Sequence, residues 1–399
     1  MTTRRSSPAA RRALVAAVSA HPGAEGDLGA LVAVCERDEL VGLALAQAVA
    51  GRASEALGSY LPPAEKVQLL RTAREETLRH FACLDLLHRL GAALESAGVA
   101  WVVLKGPALA ELSYGHTPRG YSDLDLLVAP SRFKEAVRAL EGAGLTFAQR
   151  NWPLMVKVAR GQVTMAFKGD PSVDLHWHFV YKRSVRERFM LPTEELLGRR
   201  RLVKLGNVDA WVLEPTDFAI HIALHAAWSG AHQLRWLVDI ERTMTNQPPQ
   251  WDEFVRRCRA WRISLPVSVA LNRARQTVGA PVPEQVVWQL AGKGFNVDLV
   301  RWLSDWAPGG HLPGQRSLKA GLTRSLHDSL AATGAEFAGE VWGTLGRLLR
   351  HEPEGSDPRA LAHDSGGEAG FERYVQMAAR SDRYGHLSKQ ELHELELAK

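Results

Sequence analysis

The spacing of apolar and polar positions divides the chain into a helical start, a central stretch with strand patterning and a long helical end. Residues 26–98 place apolar side chains at helical intervals. Leu28, Leu31, Val32, Leu40, Leu43 and Leu45 support one or two short helices. Pro62-Pro63 then opens a longer one, because proline suits a first helical turn. Its apolar face runs from Val67 through Leu69, Leu70, Leu78 and Phe81 to Leu84, Leu86, Leu87 and Leu90, and Gly98 ends it. No alternating strand pattern precedes residue 100.

The pattern changes at Trp101. A short apolar strand (Trp101–Leu104) meets Lys105-Gly106, then a helix is predicted over Pro107–Tyr114. A loop rich in Gly, Pro and Arg leads to a second strand, Ser122-Asp123-Leu124-Asp125-Leu126-Leu127-Val128. Strand side chains alternate between faces, so Asp123 and Asp125 share one face while Leu124 and Leu126 enter the core. Further strand-like pieces follow at Met155–Arg160, Val163–Lys168 and Val173–Val180. In the last, period 2 places Asp174, His176 and His178 on one face. A hairpin turns at Gly206-Asn207. Glu214-Pro215-Thr216-Asp217 opens a helix carrying His221 and His225, and the segment with Trp236 and Asp239 is helical too. Helices are predicted over 251–262, 264–278, 283–291 and 295–306, and again within 316–350. These shifts divide the chain into a helical region (1–98), a core (99–214), a helical domain (215–350) and a linker with a polar tail (351–399).

Composition adds bounds. A chain of 399 residues can bury one or two full cores. The net charge of +5 suits an anionic ligand, but no concentrated basic block demands nucleic acid. Three scattered cysteines, Cys35, Cys83 and Cys258, fit neither a disulfide framework nor a thiolate metal site. This favours the reducing cytoplasm. No stretch approaches the roughly 18–20 apolar residues of a membrane span. The arginine-rich start imitates a secretory signal, yet Ala13–Ala20 is weakly hydrophobic and reads better as an Ala-rich first helix.

The chemistry gathers in the centre. Two neighbouring carboxylates repel unless something positive lies between them, and a divalent cation with hard oxygen ligands does this well. Asp123, Asp125 and Asp174 on adjacent strands suit a pair of such ions, which clamp the oxygens of a phosphoryl transfer. Lys105 and the backbone at Gly106, between strand and helix, suit a polyphosphate. Tyr114 and Arg119 lie between, available for base stacking or phosphate charge. His176 can orient the carboxylates, and His225 and Asp239 can line an acceptor site. Zinc at His176/His178 or at His221/His225 is the other reading of those histidines.

The Gly106 … Asp123-Leu124-Asp125 … Val173-Asp174-Leu175 arrangement resembles the polymerase-β-type nucleotidyltransferase superfamily. Leu104-Lys105-Gly106, Tyr114, Arg119, the Ser122–Val128 strand, Val173–Trp177, the Glu214–Asp217/His225 helix and Trp236–Asp239 resemble, more closely, a bacterial family of uncharacterised nucleotidyltransferases, over residues 75–280. The resemblance implies an α+β fold, a small mixed sheet with flanking helices, preceded and followed by helical regions. It implies Mg²⁺ or Mn²⁺ on Asp123, Asp125 and Asp174, and an NTP, with ATP expected, near Lys105, Gly106, Tyr114, Arg119 and Ser122. It further implies transfer of NMP to a hydroxyl or phosphate acceptor. A small molecule or peptide is favoured over RNA, and natural-product or peptide tailoring is a suggested setting. Gly106-Pro107 departs from the superfamily's usual Gly-Ser or Gly-Gly turn. A metal-dependent glycosyltransferase and a catalytically silent nucleotide- or partner-binding protein on the same fold remain as alternatives.

Overall fold

A computed structural model describes residues 7–19, 24–115, 117, 119–167, 171–305, 318–329, 331–339 and 361–397. The chain forms two compact units, each discontinuous in sequence. One comprises Ala82–Ala108, Ser122–Glu214 and Gly334–Lys399; the other comprises Met1–Phe81, Leu109–Tyr121 and Pro215–Thr333. The fold is α+β, as the sequence predicts.

The first of these units holds a seven-stranded mixed sheet. Its strands are β1 (Trp101–Val103), β2 (Asp123–Val128), β3 (Thr146–Phe147), β4 (Gln162–Ala166), β5 (Ser172–His176), β6 (Arg201–Leu205) and β7 (Val208–Val212). They lie in the order β3-β4-β5-β2-β1-β7-β6. The most apolar runs lie at the centre: every residue of β1 is buried, as are Leu124–Val128 of β2. β2 pairs antiparallel with β1 and parallel with β5, a register that sets Asp125 beside Asp174. β6 and β7 form the expected hairpin, with Gly206 in the left-handed conformation (φ +55°) at its turn.

Three details of this unit differ from the sequence reading. Met155–Arg160 is not a strand; a helix covers Trp152–Lys157. Asn151 caps it by accepting from the Leu154 N–H (3.2 Å), and Pro153 stands in its first turn. Short apolar runs do not distinguish strand from helix by period alone. Second, β5 stops at His176 rather than reaching Val180. His178 lies beyond it, and its Nδ1 accepts from the Val180 N–H (2.9 Å). It is therefore not on the strand face of Asp174 and His176. Third, part of the presumed polar tail is packed. Residues 351–360 lie outside those described, but Gly367–Arg380 is a helix burying Phe371, Tyr374, Val375 and Met377.

The other unit is helical. Pro8–Val18, Ala24–Ala33, Arg37–Ala46 and Ala50–Leu57 precede the long helix Pro63–Ser96, within which the chain passes between units. The apolar face expected along this helix is buried at Leu69, Leu84, Leu86, Leu87 and Leu90, while Val67, Leu70, Leu78 and Phe81 stay exposed. Pro215–Trp228, Leu234–Asn246, Trp251–Ala260, Ser264–Val278, Glu284–Ala291 and Phe295–Ser304 follow close to the predicted bounds. Ser264–Val278 is buried on nearly all sides. Its Arg273 is wholly buried and donates to the Leu303 carbonyl (2.7 Å), the Gly230 carbonyl (2.7 Å) and Thr323 Oγ1 (3.0 Å).

Tyr374 fastens the Gly367–Arg380 helix within the sheet unit. Its hydroxyl faces the carbonyl oxygens of Arg160 (2.9 Å) and Gln162 (3.0 Å) as donor and accepts from Trp177 Nε1 (3.3 Å). Tyr374→Phe leaves buried polar groups unsatisfied and should destabilise the protein by about 1–3 kcal/mol. Tyr374→Ala adds a cavity and should cost about 3–5 kcal/mol. Urea unfolding measures both; an alanine variant as stable as the parent contradicts the packed role of this helix.

Candidate active site

The sheet unit concentrates its polar chemistry on one patch of β2, β4 and β5. Asp125 and Asp174 are direct partners across the parallel pair, and Thr164 of β4 is the cross-strand partner of Asp174. Directly paired residues share a face, so register alone brings these side chains together. Thr164 Oγ1 donates to Asp174 Oδ1 (2.6 Å), and Gln162 Nε2 donates to Asp174 Oδ2 (2.8 Å). Lys105, just past the end of β1, sets its Nζ 3.2 Å from Asp125 Oδ2. His176 Nε2 lies 3.0 Å from Asp125 Oδ1. The Leu104 N–H donates to the Asp125 carbonyl (3.0 Å), which fixes the chain immediately before Lys105 against β2. Gly106 follows with φ +54°, a left-handed turn that glycine takes without strain, and Pro107 starts the next helix.

The acids of β2 differ in their electrostatics. Burial alone would raise the Asp125 carboxyl, but Lys105 and His176 outweigh it and hold Asp125 well below the ordinary range. Asp123 is only partly buried, yet it is pushed up, first by desolvation and then by the charge of Asp125, with Asp174 adding to it. Lys105 relieves this only in part. Asp123 Oδ1 accepts a long bond from its exposed neighbour Ser122, whose Oγ stands 3.4 Å away. Among the described residues Asp123 has no ion-pair partner. Asp125, Asp174 and His176 each offer a ligand atom, all within 4.8 Å of one another, and form the candidate metal-holding group among the described residues. His176 Nδ1 is buried and has no hydrogen-bond partner.

The helical unit holds a separate buried cluster. A helix over Pro107–Leu109 continues as a π-type turn over Ala110–Tyr114 and ends at Gly115 (φ +62°). Tyr114 donates its hydroxyl to Asp239 Oδ1 (2.6 Å). Arg119 grips the same carboxylate with two bonds, Nε to Oδ1 and Nη2 to Oδ2, both 2.8 Å. Burial opposes the charge on Arg119, but Asp239 more than restores it; burial and the Asp239 charge together push the Tyr114 phenol up. Tyr114 and Arg119 are thus engaged with Asp239. His225 is half-buried, with its ring edge-on to Trp236 at 6.2 Å between centroids.

The structure therefore brings Lys105, Asp123, Asp125, Asp174 and His176 together in one unit, and Tyr114, Arg119 and Asp239 together in the other. Sequence reasoning missed Gln162 and Thr164, which hold Asp174. Thr164 shows alternation within its strand, but only the pairing register tells which carboxylate it meets.

The family model described as an uncharacterised nucleotidyltransferase matches residues 25–279. The chain belongs to this nucleotidyltransferase family. No curated protein matches the chain. The nucleotidyltransferase is accordingly a transferase that moves a nucleoside monophosphate and takes a nucleoside triphosphate as substrate. The glycosyltransferase alternative is set aside; in keeping with this, the first strand among the described residues begins only at Trp101, after helices alone. No helix among the described residues is long and apolar enough to cross a membrane.

The Arg119–Asp239 pair generates a prediction about stability. Asp239→Ala leaves a buried guanidinium uncompensated and should cost about 3–5 kcal/mol. Tyr114→Phe removes one bond to a charged oxygen and should cost about 1.5–3 kcal/mol. Thermal unfolding of the two variants checks the order; a Tyr114→Phe loss exceeding that of Asp239→Ala contradicts it.

Proposed function

We propose that this nucleotidyltransferase is Mg²⁺-dependent, with Mn²⁺ as substitute, and transfers NMP from an NTP, ATP above all, to a hydroxyl or phosphate on a small molecule or peptide. The observation that carries this reading is the register of β2 and β5, which pairs Asp125 with Asp174 and leaves Asp123 on the same strand face with a raised carboxyl. The donor set fits a hard divalent cation: the carboxylate oxygens of Asp125 and Asp174 and the imidazole of His176 lie within 4.8 Å of one another, and Asp123 stands on the same strand face of β2. Asp123, Asp125 and Asp174 are the residues that would hold it. When bound, such an ion neutralises charge on the phosphate undergoing transfer.

The chain's own residues take the remaining tasks. Lys105 carries a partly exposed ammonium and binds phosphate charge. Gly106 lets a phosphate approach the backbone, since a side chain there would stand in the way. Pro107 contributes neither a hydroxyl nor an N–H, so Lys105 bears more of the anion binding than in a Gly-Ser turn. Thr164 and Gln162 fix the orientation of Asp174, leaving its remaining lone pairs to take the acceptor's proton. His176 holds Asp125. A small or peptidic acceptor is favoured over RNA because the net charge of +5 is not gathered into a basic block. A tailoring role suits such acceptors. None of the three cysteines is in a disulfide, which suits a reducing cytoplasm.

The test incubates the protein with each α-³²P-labelled NTP, Mg²⁺ and a cell extract, beside the Asp123→Ala/Asp125→Ala double variant. Label transfer from ATP should exceed that from other NTPs and fall at least about a hundredfold in the variant. The labelled species identifies the acceptor class. Transfer that persists in the variant contradicts the role given to the two acids.

A further inference from the structure

We infer that Lys105 is an internal counter-ion that occupies Asp125 until a nucleotide arrives, so that the divalent cation and the triphosphate bind together and the cation alone binds poorly. This rests on the metal reading of Asp123, Asp125 and Asp174 above.

The oxygens of the acids are unequally open. Asp125 Oδ2 faces the Lys105 ammonium at 3.2 Å and Oδ1 faces His176 at 3.0 Å. Asp174 accepts from Thr164 and Gln162, one bond on each oxygen. These latter donors are neutral, so a cation can approach beside them. The ammonium is different. A dication approaching Asp125 Oδ2 meets a positive charge already in contact with that oxygen, and the two repel at close range in a half-dry site. One of them must leave.

The geometry says which one can move, and where. Asp125 is buried in the middle of a strand and its main chain is bonded to Leu104. His176 is likewise held within β5. Lys105 lies outside β1, on a flexible stem, with its side chain about one-fifth exposed (19%). It also directly precedes the left-handed Gly106, at the turn that leads into the next helix. A triphosphate at that turn offers the ammonium a stronger anionic partner than a single carboxylate. Moving to it frees Asp125 Oδ2. Nucleotide binding therefore raises the affinity for the cation, and by linkage the cation raises the affinity for the nucleotide by the same factor. Lysine suits this exchange better than arginine, because an ammonium is a compact charge without a planar fork that locks onto one carboxylate.

The test uses Mn²⁺ as probe, its free concentration read by electron paramagnetic resonance, with and without a non-hydrolysable ATP analogue. Wild type is compared with Lys105→Gln and Lys105→Arg, each first shown to be folded by circular dichroism. Without nucleotide, Lys105→Gln should bind Mn²⁺ at least about tenfold more tightly than wild type, while Lys105→Arg stays within about twofold of it. The analogue should tighten Mn²⁺ binding in wild type by a larger factor than in Lys105→Gln. Equal Mn²⁺ affinity of wild type and Lys105→Gln without nucleotide overturns the counter-ion role while leaving the metal reading intact. Mn²⁺ binding that survives Asp125→Asn, or is missing from every form with the analogue present, overturns the metal reading and the counter-ion role with it.

Discussion

The parallel pairing of β2 with β5 is the constraint from which the site follows. Its register forces Asp125 and Asp174 side by side, with Asp123 on the same strand face as Asp125. Carboxylates in such proximity repel, and the sheet core beneath Leu124 and Leu126 does not let them part. Each neighbouring element then supplies a partial remedy: Lys105 follows just past the end of β1, β4 brings Thr164 and Gln162, and β5 ends in His176. Asp123 is left without a comparable partner. The fold thus holds an acidic patch in which Asp123 is the least compensated of the three acids.

The buried acid of the helical unit is managed in the opposite way. Asp239 is met by a two-pronged arginine and a phenol, so its charge is fully answered within the protein. Nothing in that trio is held in reserve for a ligand. The contrast explains why acids of similar appearance in the sequence differ in role: one is consumed by its neighbours and another is left in want of a cation. Asp239 lies 120 residues from Arg119, and neither carries a local mark of the pairing.

Much of the site could be read from the chain because its signals are local. The strand Asp123–Val128 and the strand ending at His176 show period-2 alternation, and the Lys105-Gly106-Pro107 turn punctuates strand and helix. Helix starts such as Pro215 are set by proline and an acid in the first turn. What failed has both local and distant causes. Met155–Arg160 carries β-forming residues, but Asn151 and Pro153 begin a helix there. His178 falls in phase with Asp174, yet the strand ends two residues before it. The Gly367–Arg380 helix looks polar by composition, and only its stripe of Phe371, Tyr374, Val375 and Met377 shows what it buries. The engagement of Tyr114 and Arg119 by a carboxylate far along the chain was equally invisible.

The central claim, that Asp123 is an acid left in want of a cation, is tested most directly by the stability of Asp123→Asn. Because the folded-state carboxyl of Asp123 is raised, its ionisation opposes folding: the favourable protonated contribution is complete below the ordinary aspartate range and is lost as pH rises through the raised value. Urea unfolding of wild type and Asp123→Asn, in chelator and in Mg²⁺, reads this out. The account predicts that in chelator at neutral pH the asparagine variant is the more stable, that the difference shrinks as pH falls toward about 4, and that Mg²⁺ stabilises wild type far more than the variant. A variant no more stable than wild type in chelator, with Mg²⁺ stabilising both equally, would contradict it.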